Sequence, residues 1–283
     1  MRRVLRRTAA LVGAAALAVA AGATLFAFSS GSGAASQVSV TMNVPPPAAD
    51  RIYAALEARG RPIVVIDPGH GGRDPGATSV SGQVVEKDLT LALARELRDQ
   101  LVKRGRVRVA MTRDDDRYLT LEDRTGVPRR LDAAMFVSIH VDSAPNPLAR
   151  GASVYSLSDV ASDAEAARLA ESQNRGIAAE AAEGSVAALL SDLAMRAQMD
   201  ASANFAARLV RKASGRIELR PDAHRFADFH VLRRANAPAI LFEAGYISNA
   251  DDELLLRTPE QRSKIVLALA QAIEADIAAR NRH

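Results

Sequence analysis

The stretch that most constrains this chain is residues 63–77, IVVIDPGHGGRDPGA. Ile63, Val64, Val65 and Ile66 form an uninterrupted β-branched run. A run without polar alternation reads as a strand buried on both faces. The pattern breaks at Asp67-Pro68-Gly69-His70-Gly71-Gly72, where proline and glycine end the strand and let the backbone turn tightly. One histidine, His70, is thereby delivered to the carboxyl end of a buried strand. In an open α/β sheet that edge is where ligands bind. Taken singly, the residue reads first as an incidental histidine in a tight turn, so its meaning depends on partners further along.

Strand and helix patterns alternate after this point. Residues 86–103 read as an amphipathic helix with Leu89, Leu93, Leu97 and Leu101 on one face, ended by Gly105. Residues 107–111 form a second strand, followed by a charged loop over 112–118. Residues 119–131 are expected to be helical in part, interrupted by Gly126 and Pro128. A third buried strand, residues 133–140 (AAMFVSIH), also ends in a histidine, His140. Residues 153–157 read as a fourth strand; 229–232 and 239–242 are two more, the latter running into Glu243. Residues 258–279 form a closing helix opened by Thr258-Pro259-Glu260, with Ile265, Leu269, Ala272, Ile273 and Ile277 on its inner face. The expected fold is a single α/β domain over 61–281: a mostly parallel mixed sheet, helices on both faces, and a helical insert at 161–199.

The amino terminus is not part of that fold. Four arginines among the first seven residues precede an apolar, alanine-rich stretch (8–28) and a small polar one (29–36). This order reads as an export signal over 1–35, cleaved after Ala35. The apolar stretch approaches the ~20 residues of a spanning helix, which makes an uncleaved anchor the alternative. The paired arginines also admit a twin-arginine route. Residues 36–60 read as a proline-rich linker and a short helix, with Asp50 capping 51–59. The chain has no cysteine, which excludes thiolate ligands and thiol nucleophiles. The net charge of +4 equals the contribution of the four leader arginines, so the mature chain is near neutral. No basic stripe with interleaved aromatics points to nucleic acid.

Two strands end at histidines, a helix opens at Glu86 just after the His70 loop, and a strand ends at Glu243. In an α/β sheet all four can meet at one edge. Two histidines and a carboxylate are a ligand set of catalytic zinc, with the fourth position open, and a further carboxylate can serve as base. The spacing is no local metal signature, and a satisfied structural histidine is the alternative for each one alone.

The segments VVIDPGHGGRDPGA, VVEKDLTLALA, FVSIHVDSA and ILFEAGYISN, in this order, resemble the zinc-dependent N-acetylmuramoyl-L-alanine amidases, the cell-wall family that includes septal division amidases. The resemblance covers about residues 62–279. It implies Zn2+ ligands at His70, Glu86 and His140 and a catalytic glutamate at Glu243. It also implies cleavage of the amide between N-acetylmuramic acid and L-alanine in peptidoglycan, and with the leader a periplasmic enzyme, expected to be a monomer. Two rivals stand beside it: a zinc peptidase cutting within the stem peptide, and a non-catalytic wall-binding module on the same fold. The second expects one of the four residues to be missing, and all four are present.

Around this set, Asp67 is expected to order the loop and Asp88 to face the helix N-terminus. Asp142 is either a partner of the ligands or a loop residue. His224, in PDAHR, is a candidate for lining the site by the same resemblance, and His230 is expected to be structural. Residues 159–174 resemble the insert of division amidases, in which a helix covers the zinc and donates an acidic ligand until a partner with an inactive metallopeptidase-like (LytM-type) domain displaces it. Glu171 is the candidate blocking ligand, although Gln173 stands where relatives often carry a glutamate. Val186, Leu189, Leu190 and Leu193 make an apolar stripe that is either core or an activator-binding face.

Overall fold

The structure, a computed structural model, describes residues 50–175 and 186–281, with only the backbone of 186–190. Seven strands form one sheet: β1 (Ile52–Tyr53), β2 (Ile63–Pro68), β3 (Arg108–Met111), β4 (Met135–Asp142), β5 (Ala152–Leu157), β6 (Leu219–Ala227) and β7 (Ala239–Tyr246). Their spatial order is β1-β3-β2-β4-β7-β5-β6. The four central strands β3, β2, β4 and β7 are parallel. On one side β1 is antiparallel to β3. On the other β5 is antiparallel to β7, and β6 runs parallel to β5. The expected single α/β domain with a mixed sheet is what forms.

Every residue of β2, β4 and β7 is buried, as strands covered on both faces must be. Alternation within β2 assigns the two cores. Val64 and Ile66 face Leu93 and Leu97 of α1 (Glu86–Arg104), Phe205 of α4 (Val186–Ala213) and Ile273 of α7 (Pro259–Arg280). Ile63 and Val65 face the opposite core, with Val127 of α2 (Leu121–Arg130), Ala166 and Ala170 of α3 (Ala164–Gln173) and Leu232 of α5 (His230–Arg233). The amphipathic helix ends as expected, with Gly105 left-handed at φ 66°.

Five local expectations change. The helix expected over 51–59 is instead the edge strand β1 and a single 3-10 turn, Leu56–Ala58. So short a segment forms no stable helix, while β3 offers a strand edge and Arg130 holds the Asp50 carboxylate through two bonds. α2 runs unbroken through Gly126 and Pro128, because the bond lost at proline falls in the last turn and a Thr120–Asp123 capping box secures the first. Phe229–Leu232 is not a strand: Phe229 is the N-cap of α5. The strand there is β6, whose Pro221 is tolerated at a sheet edge. An unforeseen helix, α6 (Ala250–Arg257), starts where the Asn249 side chain accepts from the Asp251 and Asp252 N–H groups.

The insert is α3 followed by the amino-terminal part of α4, so its boundary at 199 lies within a continuous helix. The leader, the linker up to residue 49, residues 176–185 of the insert and the side chains of Val186, Leu189 and Leu190 lie outside the described residues; Leu193 is exposed. Among the described residues no helix is long and apolar enough to cross a membrane.

Candidate metal centre and active site

The carboxyl ends of β2, β4 and β7 lie side by side. Beyond β2 the chain turns through His70 (φ 58°) and Gly71 (φ 127°). Two glycines shape the space. A Cβ on Gly69 would sit 2.3–2.6 Å from the His140 ring. One on Gly76 would sit 2.6 Å from Glu86 Oε2 and 2.8 Å from His70 Cδ2. Only bare backbone allows the loop to lie this close to both imidazoles and the carboxylate.

Glu86 is the first residue of α1, and its carboxylate points back over the loop. Oε2 accepts the Ala77 N–H at 3.0 Å and Oε1 the Val141 N–H at 3.1 Å. Oε1 also lies 3.1 Å from both His70 Nε2 and His140 Nδ1. One ligand atom from each of His70, Glu86 and His140 falls within 4.8 Å of the others. The His70 Nδ1 sits 2.9 Å from Asp74 Oδ2, which fixes the tautomer with its proton on Nδ1 and turns the Nε2 lone pair to the cluster. That Nε2 is buried and lacks an aligned hydrogen-bond partner. An orphaned imidazole nitrogen facing a carboxylate and a second imidazole fits a bound zinc ion by donor type.

The electrostatics agree with that reading. Burial works against the charge of Glu86, yet the two imidazoles more than offset it and hold the carboxyl well below its usual range. Burial likewise opposes protonation of His70, but Glu86 and Asp74 outweigh it and raise its pKa. His140 is lowered, burial being the largest cause.

Glu243 completes the edge. It pairs in register with His140 across β4 and with Ser153 across β5. It is fully buried, and neither carboxylate oxygen has a hydrogen-bond partner. Burial, then Asp142 and Glu86, push its carboxyl well above the ordinary range. Asp142, mainly through burial, is pushed up to about 7. Unpaired buried carboxyl groups are costly, so they mark a functional site more than a structural one. A cleft of about 640 Å³ opens onto His70, Glu86, Asp142 and Glu243.

Helix α3 crosses this edge. Gln173 borders both that cleft and a neighbouring chamber of about 670 Å³, and its Nε2 lies 3.4 Å from His140 Nδ1. Glu171 is exposed and lines neither space. Two steps along a helix turn by about 200°, so the two residues occupy different faces. His224 stands on β6, beyond β5 from the Glu243 strand, with Nε2 2.8 Å from Ser156 Oγ and its ring against Phe226. It lines neither space. Asp67 accepts from Thr112, Arg124 and Ser138 within the loop's foundation. Asp88 is an exposed first-turn acid of α1, and His230 heads α5, its N–H bonded to Asn174. Sequence reasoning passed over Asp74, Arg113 and Arg124. The repeated Asp-Pro in the His70 segment was a signal for the first; the two arginines had none.

A His–Glu–His cluster that could hold a metal ion stands at the carboxyl edge of the parallel strands, beside an unpaired buried glutamate, and this is the donor set of a metal-dependent hydrolase. A family model described as N-acetylmuramoyl-L-alanine amidase (Amidase_3) matches residues 64–275. The chain belongs to this family. It is 34% identical over 225 residues to N-acetylmuramoyl-L-alanine amidase AmiA of Escherichia coli, covering 77% of each chain. It is 36% identical over 220 residues to AmiC of Neisseria meningitidis, covering 76% of this chain and 52% of that one. Among solved structures, AmiC2 of Nostoc punctiforme matches 79% of this chain and 99% of its own at 27% identity, with a TM-score of 0.56.

Proposed function

We propose that this chain is a zinc-dependent amidase that cleaves the bond between N-acetylmuramic acid and L-alanine of the peptidoglycan stem peptide, in wall remodelling and daughter-cell separation. The observation that carries the reading is the pair of unpartnered Glu243 oxygens, buried beside His70, Glu86 and His140. These three residues would hold the ion, with Asp74 orienting His70. When bound, zinc supplies a Lewis acid for the scissile carbonyl and lowers the pKa of water to ~7. Glu243 accepts the proton of the attacking water on a carboxylate oxygen and returns it to the departing stem-peptide nitrogen. The buried β-strand walls keep that carboxylate out of bulk solvent.

The same reading makes α3 an inhibitory cover. Gln173 is its group at the site, and rotating its amide presents an oxygen in place of the nitrogen. A partner with a LytM-type domain is then the activator that draws α3 away. The basic and apolar leader supports export to the periplasm. The test is digestion of purified peptidoglycan followed by mass spectrometry. Wild type should release stem peptides with a free L-alanine amine, and Glu243→Ala should not. Products cut inside the stem peptide would instead establish a peptidase, and no products even from a folded variant whose α3 contacts at the site are removed would establish a binding module.

A further inference from the structure

We propose that Arg113 and Arg124 are positioning residues that hold the main chain at Pro68, Gly69 and His70 in the turn that presents His70 to Glu86 and His140. The proposal rests on the reading of His70 as a metal ligand. His70 has a left-handed backbone, and the other non-glycine residues with positive φ among those described are Asp132 and Asn236. Such a conformation persists where the surroundings over-determine it. Here three successive carbonyls are gripped by side chains. Pro68 O accepts from Arg124 Nη1 at 2.8 Å and Arg113 Nε at 3.0 Å. Gly69 O accepts from Arg113 Nη2 at 2.8 Å and Thr90 Oγ1 at 2.9 Å. His70 O accepts from Arg124 Nη2 at 2.6 Å.

Both guanidinium groups are buried, and Arg113 is fully so. Arg124 is neutralised by Asp67 at 2.8 Å. The hydrogen bonds of Arg113 go to backbone carbonyls and to Thr90 Oγ1. A buried cation satisfied by neutral acceptors is an expensive way to stabilise a fold. Its guanidinium fork is, however, well matched to several carbonyls at fixed angles, which a lysine ammonium cannot imitate. The opposite side of the loop explains what the grip achieves. Gly69 approaches the His140 ring so closely that no Cβ would fit between them, so a loop that relaxes away from the arginines would disturb both imidazoles. The His70–Glu86–His140 spacing is therefore set before any ion arrives, and metal affinity depends on two arginines that do not touch the metal.

The experiment compares the full chain with Arg124→Lys, Arg113→Lys, Thr90→Val and a control, Arg104→Lys, whose fork holds Glu274 between α1 and α7. Zinc affinity is read by chelator competition, ligand geometry by the visible spectrum of the cobalt-loaded protein, and stability by thermal unfolding in excess chelator. The expected result is about tenfold weaker zinc binding in each loop lysine variant, with a changed cobalt spectrum. Thr90→Val should lose about threefold. Arg104→Lys should lose stability while keeping affinity and spectrum. Loop variants that bind zinc like wild type with an unchanged spectrum would overturn the proposal. If a loop lysine variant does not fold, Thr90→Val, which removes no charge, decides it: unchanged affinity refutes the grip. A wild-type chain that binds no zinc would refute the metal reading itself, a distinct outcome.

Discussion

The loop that carries His70 and the helix that carries Gln173 meet at the same imidazole, His140, but they are anchored by different chemistry. The loop is tied by buried bonds from Arg113, Arg124 and Thr90, above the buried Asp67. Helix α3 fully buries only two small residues, Ala166 and Ala170, with Leu169 half-buried against the same core. Its ends are pinned by polar latches instead. At the start, Glu165 takes both Arg220 nitrogens and the Tyr246 hydroxyl, while the N-cap Asp163 pairs with Arg225. At the end, the Asn174 side chain bonds the Asp228 carbonyl and the His230 N–H. The Glu165 and Arg220 side chains are 31% and 20% exposed. Partly exposed ion pairs contribute only about 0–1 kcal/mol each. On the proposed reading, the loop would move only if the sheet edge came apart, whereas α3 would detach as a local unit. Ligand geometry would then rest on the rigid element and access on the releasable one.

Substitutions can break this contrast, beginning with the chemistry it protects. Glu243→Ala should lower kcat on peptidoglycan by about 10²–10⁴-fold while leaving zinc content at the wild-type level, since it removes the proton carrier alone. Metal analysis alongside turnover checks both halves. Asp74→Ala, on the rigid side, should weaken zinc binding by about 10–100-fold through loss of the partner that orients His70. Its pH dependence has a defined sign. The raised pKa of His70 lets protons displace metal as pH falls through a value above that of a free histidine. Without Asp74 that displacement should begin at lower pH, as titrations of zinc affinity against pH would reveal.

The releasable side predicts changes of opposite direction. Gln173→Ala should raise the basal rate several-fold, by no more than about tenfold for one weak polar contact, without altering zinc affinity by more than about twofold. An unchanged basal rate would remove Gln173 from the cover. The smallest effect is expected at the latch: Glu165→Gln should raise basal activity by about fivefold or less and shift Tm by only a few degrees. A large drop in Tm there would mean that α3 is integral to the fold and erase the contrast.

Much of the catalytic edge was legible in advance because buried parallel strands leave a plain record. β2, β4 and β7 each open with an apolar run, and His140 and Glu243 near the ends of β4 and β7, like His70 just past the end of β2, stand out against that background. Glu86 was readable as the first acid of a strongly periodic helix. β6 left no such record, because this edge strand exposes Pro221 and Asp222 and fully buries only Ala223, Arg225 and Ala227 beyond them. α5 is four residues long, too short for helical periodicity to appear. The side of α3 that faces the metal cluster was equally hidden. Two buried alanines in an alanine-rich helix do not identify a face, and the acidic Glu171 drew attention that belongs geometrically to Gln173.

By itself, the sequence determined the central strands, the breaks that end them and the kinds of donor left at those breaks, because burial and turn formation depend on neighbours along the chain. Only the tertiary structure decided that β2, β4 and β7 lie adjacent, that Glu86 Oε1 stands 3.1 Å from a nitrogen of each histidine, and that Arg113 and Arg124 grip the His70 loop. Those contacts join residues tens of positions apart. They depend on strand order and helix crossing, which no local pattern encodes.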